Sequence, residues 1–231
     1  MGVVAALAAE ARALGPSMPR AGIPPLSELA WVGDGALLAV SGIGLEAAQS
    51  AARALLDAGA SALMTFGMAG GLDPTLKAGT VVLPRELISE AGTHWLASSP
   101  WRERVAAEVS PLRAVSEGNL LTVARAIDSP ADKAAAFLET GAVAADMESA
   151  AVAEIAGRHQ LPFIAVRVIV DTAADQLPRA VVNASRAGKV HIGRLAAGLA
   201  AAPGDIAALF RLAQRYRIAL HSLKAIGSHL S

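Results

Sequence analysis

The amino-acid sequence predicts an α/β fold in three layers, α/β/α, built on a mixed, largely parallel central sheet. Three observations predict it. Short runs rich in Val, Leu and Ile alternate with longer alanine-rich stretches, the order that places helices on both faces of a sheet. Several of these runs lack polar alternation, as strands buried on both faces do. The apolar fraction is 54% against 17% charged, which supplies a sizeable core.

The runs read as strands are 3–7, 36–41, 62–67, 80–84, 120–123, 143–145 and 163–170. Helical spacing predicts helices over 46–58, 100–109, 130–139 and 147–159. Ser99–Pro100 and Ser129–Pro130 read as an N-cap followed by a first-turn proline, and Gly141 as a C-cap. A last helix is expected over 205–228, with Ile206, Leu209, Phe210, Ala213, Tyr216, Leu220 and Leu223 on one stripe and Arg211, Arg215, Arg217 and Lys224 adding basic character. Its plain reading is docking on the core or on a second subunit. A sharper reading is an interfacial helix resting on anionic lipid at the inner face of a membrane.

No internal repeat interrupts the 231 residues, and the only candidate joint is 200–204, so one domain over 1–231 with a helical extension from about 179 is expected. Lys plus Arg equals Asp plus Glu at 20 each, which argues against a nucleic-acid partner. There is no cysteine, hence no thiolate nucleophile and no cysteine metal site. The five histidines (94, 159, 191, 221, 229) show no ligand spacing, and no metal is expected. The start at Met1 carries no basic segment and its apolar stretch stops at Glu10, so a cytoplasmic protein without a secretory leader is expected. No apolar run reaches the ~18 residues of a spanning helix.

Two glycine-rich turns follow strands. Ser41, Gly42, Ile43 and Gly44 open a helix in a G-x-G-x-x-A pattern, which by itself fits a phosphate at a helix N-terminus. A dinucleotide site also needs an acid about twenty residues on; the next strand ends at Thr65, Phe66 and Gly67, with no carboxylate before Asp73. A non-catalytic nucleoside- or NAD-binding protein is therefore a distant alternative. The second turn, with Gly67, Gly70 and Gly71, implies positive φ or close approach of a ligand. Carboxylates occupy equivalent places: Glu10 after the first strand, Asp146 and Glu148 after 143–145, and Asp171 at the end of 163–170. Singly, each is an ordinary cap or turn residue. Together, at strand ends of one sheet, they converge on one crevice. Arg167, inside an apolar strand, requires an acidic partner and reads as structural.

Five motifs occur in order: VAALAAE at 4–10, SGIG at 41–44, FGMAGGL at 66–72, ADMESAA at 145–151 and VRVIVD at 166–171. Together they resemble the purine nucleoside phosphorylase and methylthioadenosine/S-adenosylhomocysteine nucleosidase superfamily. The Asp-Met-Glu-Ser form at 146–149 and the C-terminal extension are most similar to its hopanoid-associated branch, which is thought to remove adenine from adenosylhopane. The resemblance implies cleavage of the N-glycosidic bond of an adenosine-type nucleoside through an oxocarbenium-like sugar. It implies Asp171 as the acid at purine N7, Glu148 on the ribose hydroxyls, and Glu10 as the base for water in the hydrolytic branch. Met147 would lie beneath the ribose, Ala69 and Gly70 against the base, and Leu7 and Ile43 on the 5′ side. No organic cofactor is implied; inorganic phosphate is the co-substrate of the phosphorolytic branch, with Ser41, Gly42, Gly44 and Arg12 as its candidate binders. That branch carries an arginine where Thr65 stands here. The first expectation is phosphorolysis of a nucleoside with a large apolar 5′ group, the second is hydrolysis, and a homodimer is expected in either case.

Overall fold

The computed structural model describes residues 1–15, 17–19, 29–32, 35–178, 182 and 205–230, without the side chains of 17–19, 29–32 and 205–207. The proposed joint at 200–204 and nearly all of the extension before 205 lie outside the described residues.

Twelve strands among the described residues form one branched, mixed sheet. They are β1 (Gly2–Ala5), β2 (Ser17–Pro19), β3 (Leu29–Val32), β4 (Ala36–Val40), β5 (Leu63–Gly71), β6 (Val81–Val82), β7 (Glu86–Ser89), β8 (His94–Leu96), β9 (Val115–Ser116), β10 (Leu120–Thr122), β11 (Ala144–Asp146) and β12 (Phe163–Ile169). The helices are α1 (Ala8–Ala11), continued by a 3-10 turn Arg12–Leu14, α2 (Leu45–Asp57), α3 (Ser99–Val109), α4 (Pro130–Thr140), α5 (Ser149–Arg158) and α6 (Asp205–Leu230).

β5 is the branch point. It runs parallel between β1 and β12, and its last residues, Gly70 and Gly71, pair antiparallel with Ala145 and Ala144 of β11. From there the order continues through β10, β7 and β8. Alternate residues of the central strands enter two separate cores, because successive side chains of a strand point to opposite faces. Val4, Leu63, Ala165 and Ile169 pack with Ala51, Ala52 and Leu55 of α2 and Val152 and Ile155 of α5. Val3, Met64, Phe66, Val166 and Val168 pack with Val105 and Val109 of α3 and Ala219, Leu223 and Ile226 of α6. These two cores are the three expected layers.

The local signals hold with small shifts. The Ser129 hydroxyl accepts the Asp132 N–H at 3.1 Å, and Gly141 closes α4 in the left-handed region at φ 65°. Ser99 is not a cap but the first residue of α3, and the preceding Ser98 makes no side-chain cap bond. Strand 80–84 shortens to two paired residues, and β1 ends at Ala5, two residues earlier than expected, ahead of α1 at Ala8. The larger departure is at 67–71, expected as a turn and found as the continuation of β5. None of Gly67, Gly70 and Gly71 has positive φ; the reason for glycine there lies in the site.

On α6 the buried face is Ala219, Ser222, Leu223, Ile226, Gly227 and Leu230. Ala213 and Phe210 of the expected stripe are exposed. The apolar face of this helix is therefore used in packing on the protein, and no helix among the described residues is long and apolar enough to cross a membrane. Gly227 faces the 3-10 turn so closely that an added Cβ would lie 2.1 Å from the Ala13 carbonyl oxygen. We expect Gly227→Ala to undock the helix end, at an overpacking cost of about 1–3 kcal/mol. For a chain of this size that lowers Tm by roughly 2–12 °C; an unchanged thermal transition would contradict the packing of α6.

Candidate functional site

The site forms where β1, β4, β5, β11 and β12 end, beyond the carboxyl ends of the parallel strands, where ligands of open α/β sheets bind. Its centre is a buried cation. Arg167 of β12 is 1% exposed, and its Nε donates to Asp146 Oδ2 at 2.8 Å while Nη2 lies 2.7 Å from the same oxygen. Nη2 also donates to Ser149 Oγ at 2.9 Å and stands 3.8 Å from Glu148 Oε2. Asp146 is fixed in turn by the Thr122 hydroxyl at 2.7 Å and by the Ser149 N–H at the start of α5. So Asp146 does serve the helix start, and it is also the acidic partner that Arg167 requires. Ser149 Oγ meets the Thr65 hydroxyl at 2.8 Å.

Glu10 and Glu148 share what remains of this positive charge. Glu10 Oε1 accepts the Met68 N–H at 2.8 Å and Oε2 accepts the Leu7 N–H at 2.9 Å. Burial pushes its proton affinity up, against the opposing pull of Arg167 and these amides. Glu148 Oε1 accepts the Gly44 N–H at 3.0 Å. Burial is also the main reason that its carboxyl is pushed up to about 7; Arg167 opposes it, while Asp146 and Glu10 add to it as like charges.

Here the glycines of β5 find their cause. A Cβ at Gly67 would stand 2.6 Å from Arg167 Nη1 and 2.7 Å from Glu10 Oε1, so the side chains of the charged cluster fill the space a larger residue would need. A Cβ at Gly70 would lie 3.2 Å from Asp171 Oδ2.

The carboxylates open on a cavity of about 270 Å³. Glu10, Glu148 and Asp171 all line it, as do Leu7, Ile43, Ala69, Gly70 and Met147. The four residues expected to hold phosphate are not on its wall. The Ser41 hydroxyl donates to the Gly42 carbonyl at 2.7 Å, the Gly44 amide is taken by Glu148, and Arg12 is exposed. Gly42 and Gly44 do adopt positive φ, 86° and 106°, which shapes the turn that delivers the Gly44 N–H.

The structure adds residues that sequence reasoning missed. Lys133 of α4 is 1% exposed and its ammonium pairs with Asp171 Oδ2. Asp171 itself is pushed up by burial, with Lys133 pulling the other way. Nothing in an alanine-rich helix marks one lysine as buried. Leu212 and Tyr216 reach the cavity from α6; Tyr216 is the only tyrosine of the chain. Its hydroxyl holds its proton more tightly than usual through burial, and next through the nearby Glu10 charge. Arg215, beside it, pairs with Asp175 Oδ2 at 2.5 Å and donates to Thr172 Oγ1 at 2.8 Å, tying α6 to the loop after Asp171.

Residues 2–199 match the family model of the phosphorylase superfamily. The chain belongs to that superfamily. No curated protein sequence matches it. Among solved structures, the chain is similar to 5′-methylthioadenosine/S-adenosylhomocysteine nucleosidase of Neisseria meningitidis in complex with methylthio-immucillin-A, at 20% identity over 96% of this chain and 97% of that one, with a TM-score of 0.68. The corresponding nucleosidase of Helicobacter pylori gives 18% identity, 86% and 96% coverage and a TM-score of 0.64. Futalosine hydrolase of Helicobacter pylori gives 18%, 92% and 96%, with a TM-score of 0.66. At these identities the likeness is one of fold, and it covers the branched mixed sheet described above.

The buried Glu148 carboxyl leaves a thermodynamic trace that can be measured. Folded protein keeps the Glu148 proton up to about pH 7, whereas a free glutamate releases it near 4.5. Between those values the folded state binds more protons, so its stability falls as pH rises through this window. At about 1.36 kcal/mol per pH unit, Glu148→Gln should gain on the order of 3 kcal/mol over wild type at pH 8 and little at pH 4. Urea unfolding at both pH values tests this; equal stability of the two proteins at pH 8 would contradict it.

Proposed function

We propose that this chain hydrolyses the N-glycosidic bond of a purine nucleoside of the adenosine type. The observation that carries the reading is the disposition of three buried carboxyl groups around one apolar cavity, each with raised proton affinity and each in a different environment. Asp171 has a cation of its own in Lys133. It is assigned to protonate the departing purine at N7, and burial helps it retain the proton it must give. Glu148, fixed by the Gly44 amide, is assigned to the ribose hydroxyls and to the positive charge that develops on the sugar. Glu10, fixed by two backbone amides, is assigned to take the proton of the attacking water. Met147 then lies beneath the sugar, with Ala69 and Gly70 against the base.

The choice of water over phosphate rests on donors already spent. An incoming dianion needs free N–H groups or arginines. Arg167 is occupied by Asp146 and Ser149, position 65 holds a threonine bonded to Ser149, and the Gly44 amide holds Glu148. A dianion would also have to enter an apolar cavity where burial already disfavours the carboxyl groups' own negative charge. Water needs only the base that Glu10 provides. The hydrolytic reading accordingly displaces the phosphorolytic one favoured by the sequence.

The 5′ substituent meets an apolar surface made by Leu7, Ile43 and Leu212. A cavity of about 270 Å³ fits a nucleoside with a small apolar group, such as methylthioadenosine. A substituent of hopanoid size exceeds this volume.

Adenine release from methylthioadenosine should proceed at the same rate, within about twofold, with and without phosphate, and should yield the free sugar. Phosphate dependence with formation of a sugar 1-phosphate would reject hydrolysis. Asp171→Asn should lower kcat by roughly 10²–10⁴-fold, the usual contribution of a general acid, while keeping its cooperative unfolding transition; turnover near wild type would remove Asp171 from the chemistry.

A further inference from the structure

Lys133 is an unusual residue to find buried. It lies on α4, the helix whose other described side chains are all at least partly exposed, and it alone faces inward completely. Its ammonium has three protons and three acceptors around it. These are Asp171 Oδ2, the Thr172 carbonyl at 2.9 Å and the Asp175 carbonyl at 3.1 Å. An ammonium donates three hydrogen bonds and accepts none, so this cage fits the charged form and leaves it no freedom to rotate.

The cage is built from the loop that carries Asp171. That loop is closed on itself by Asp175, whose Oδ2 accepts both the Thr172 N–H and the Thr172 hydroxyl at 2.7 Å, and it is tied to α6 by Arg215. Lys133 thus binds one oxygen of Asp171 and, through two carbonyls, the backbone on which Asp171 sits. Oδ1 is left without a side-chain partner among the described residues. Asp171 is therefore held in one orientation on the cavity wall, with one oxygen committed to a buried cation.

Resting on the reading of Asp171 as the acid for the leaving purine, we propose that Lys133 is the positioning residue of that acid and stabilises the carboxylate it becomes. As the C1′–N9 bond breaks, its electron pair passes to the purine and the proton on Asp171 Oδ1 passes to N7. The negative charge left on Asp171 is met through Oδ2 by an ammonium already in place. Water forms the new C1′–O bond and gives its proton to Glu10. Because the ammonium is fixed before the reaction, the charge that develops on Asp171 needs no reorganisation of solvent. Arg167 cannot take this part, since it is held by Asp146 at the sugar end.

The test separates leaving-group chemistry from structure. Lys133→Gln keeps donors for the two loop carbonyls and removes the charge; Lys133→Met removes both. Each is assayed with methylthioadenosine, whose purine must be protonated, and with 4-nitrophenyl riboside, whose phenolate leaves without a proton. We expect Lys133→Gln to lose roughly 10²-fold in kcat on the nucleoside, the lower end of a general acid's contribution, and less than about threefold on the nitrophenyl riboside. The alkaline limb of its nucleoside pH–rate profile should move to higher pH, because a carboxyl without its cation holds a proton more tightly. Lys133→Arg should recover part of the nucleoside rate. Equal loss on both substrates in Lys133→Gln, or loss on neither, overturns the proposal. If Lys133→Met does not fold, Lys133→Gln decides alone. A wild-type enzyme that cleaves the riboside and no purine nucleoside overturns the reading of Asp171 itself, a result distinct from an indifferent Lys133 in an enzyme that cleaves both.

Discussion

A single guanidinium sets the plan of this molecule's site. Arg167 is buried in the most central strand pairing of the sheet and carries one positive charge against Asp146, Glu10 and Glu148. Removing a charge from water is costly unless it is paired and hydrogen-bonded, and Asp146 and Ser149 meet that demand directly. The other two carboxyl groups receive only a share, which does not offset the burial that raises their proton affinities. Gly67 belongs to the same constraint: no side chain fits where Arg167 and Glu10 already stand.

The two ends of the cavity solve the problem of buried charge differently. At one end a cation is divided among several carboxylates, each also held by backbone amides. At the other, Lys133 is dedicated to Asp171 and to the loop around it. The arrangement costs stability, because the folded state holds ionisable groups in forms that water would not favour. Sites of this kind are kept for chemistry rather than for folding.

The last helix links the end of the chain to this centre. Its C-terminal half is a docking surface, with Leu223, Ile226 and Leu230 in the core and Gly227 against the 3-10 turn. Its N-terminal half supplies Leu212 and Tyr216 to the cavity wall and Arg215 to the Asp171 loop. The fold therefore brings to the cavity residues more than thirty positions beyond the last motif, on a helix that Arg215 ties to the loop after Asp171.

Sequence alone determined the layers, the order of the main strands and helices, and the carboxylates that face the cavity. Those features are written locally: apolar runs set strands, capping residues set α4, and Glu10 and Asp171 converge because β1 and β12 run parallel to β5 and end on one side. Five short motifs sufficed to associate the chain with its superfamily. The tertiary structure decided what depends on distance. It paired Arg167 with Asp146, took the Gly44 amide for Glu148 and left Arg12 outside, so donors that read as phosphate binders along the chain proved to be spent or turned away. It also extended β5 through the glycines, because Gly70 and Gly71 find partners in β11 that no local pattern announces. Lys133 and Tyr216 came to the cavity only through packing. Both sit in helices whose sequence records spacing, while which face meets a cavity is fixed by the elements packed against it.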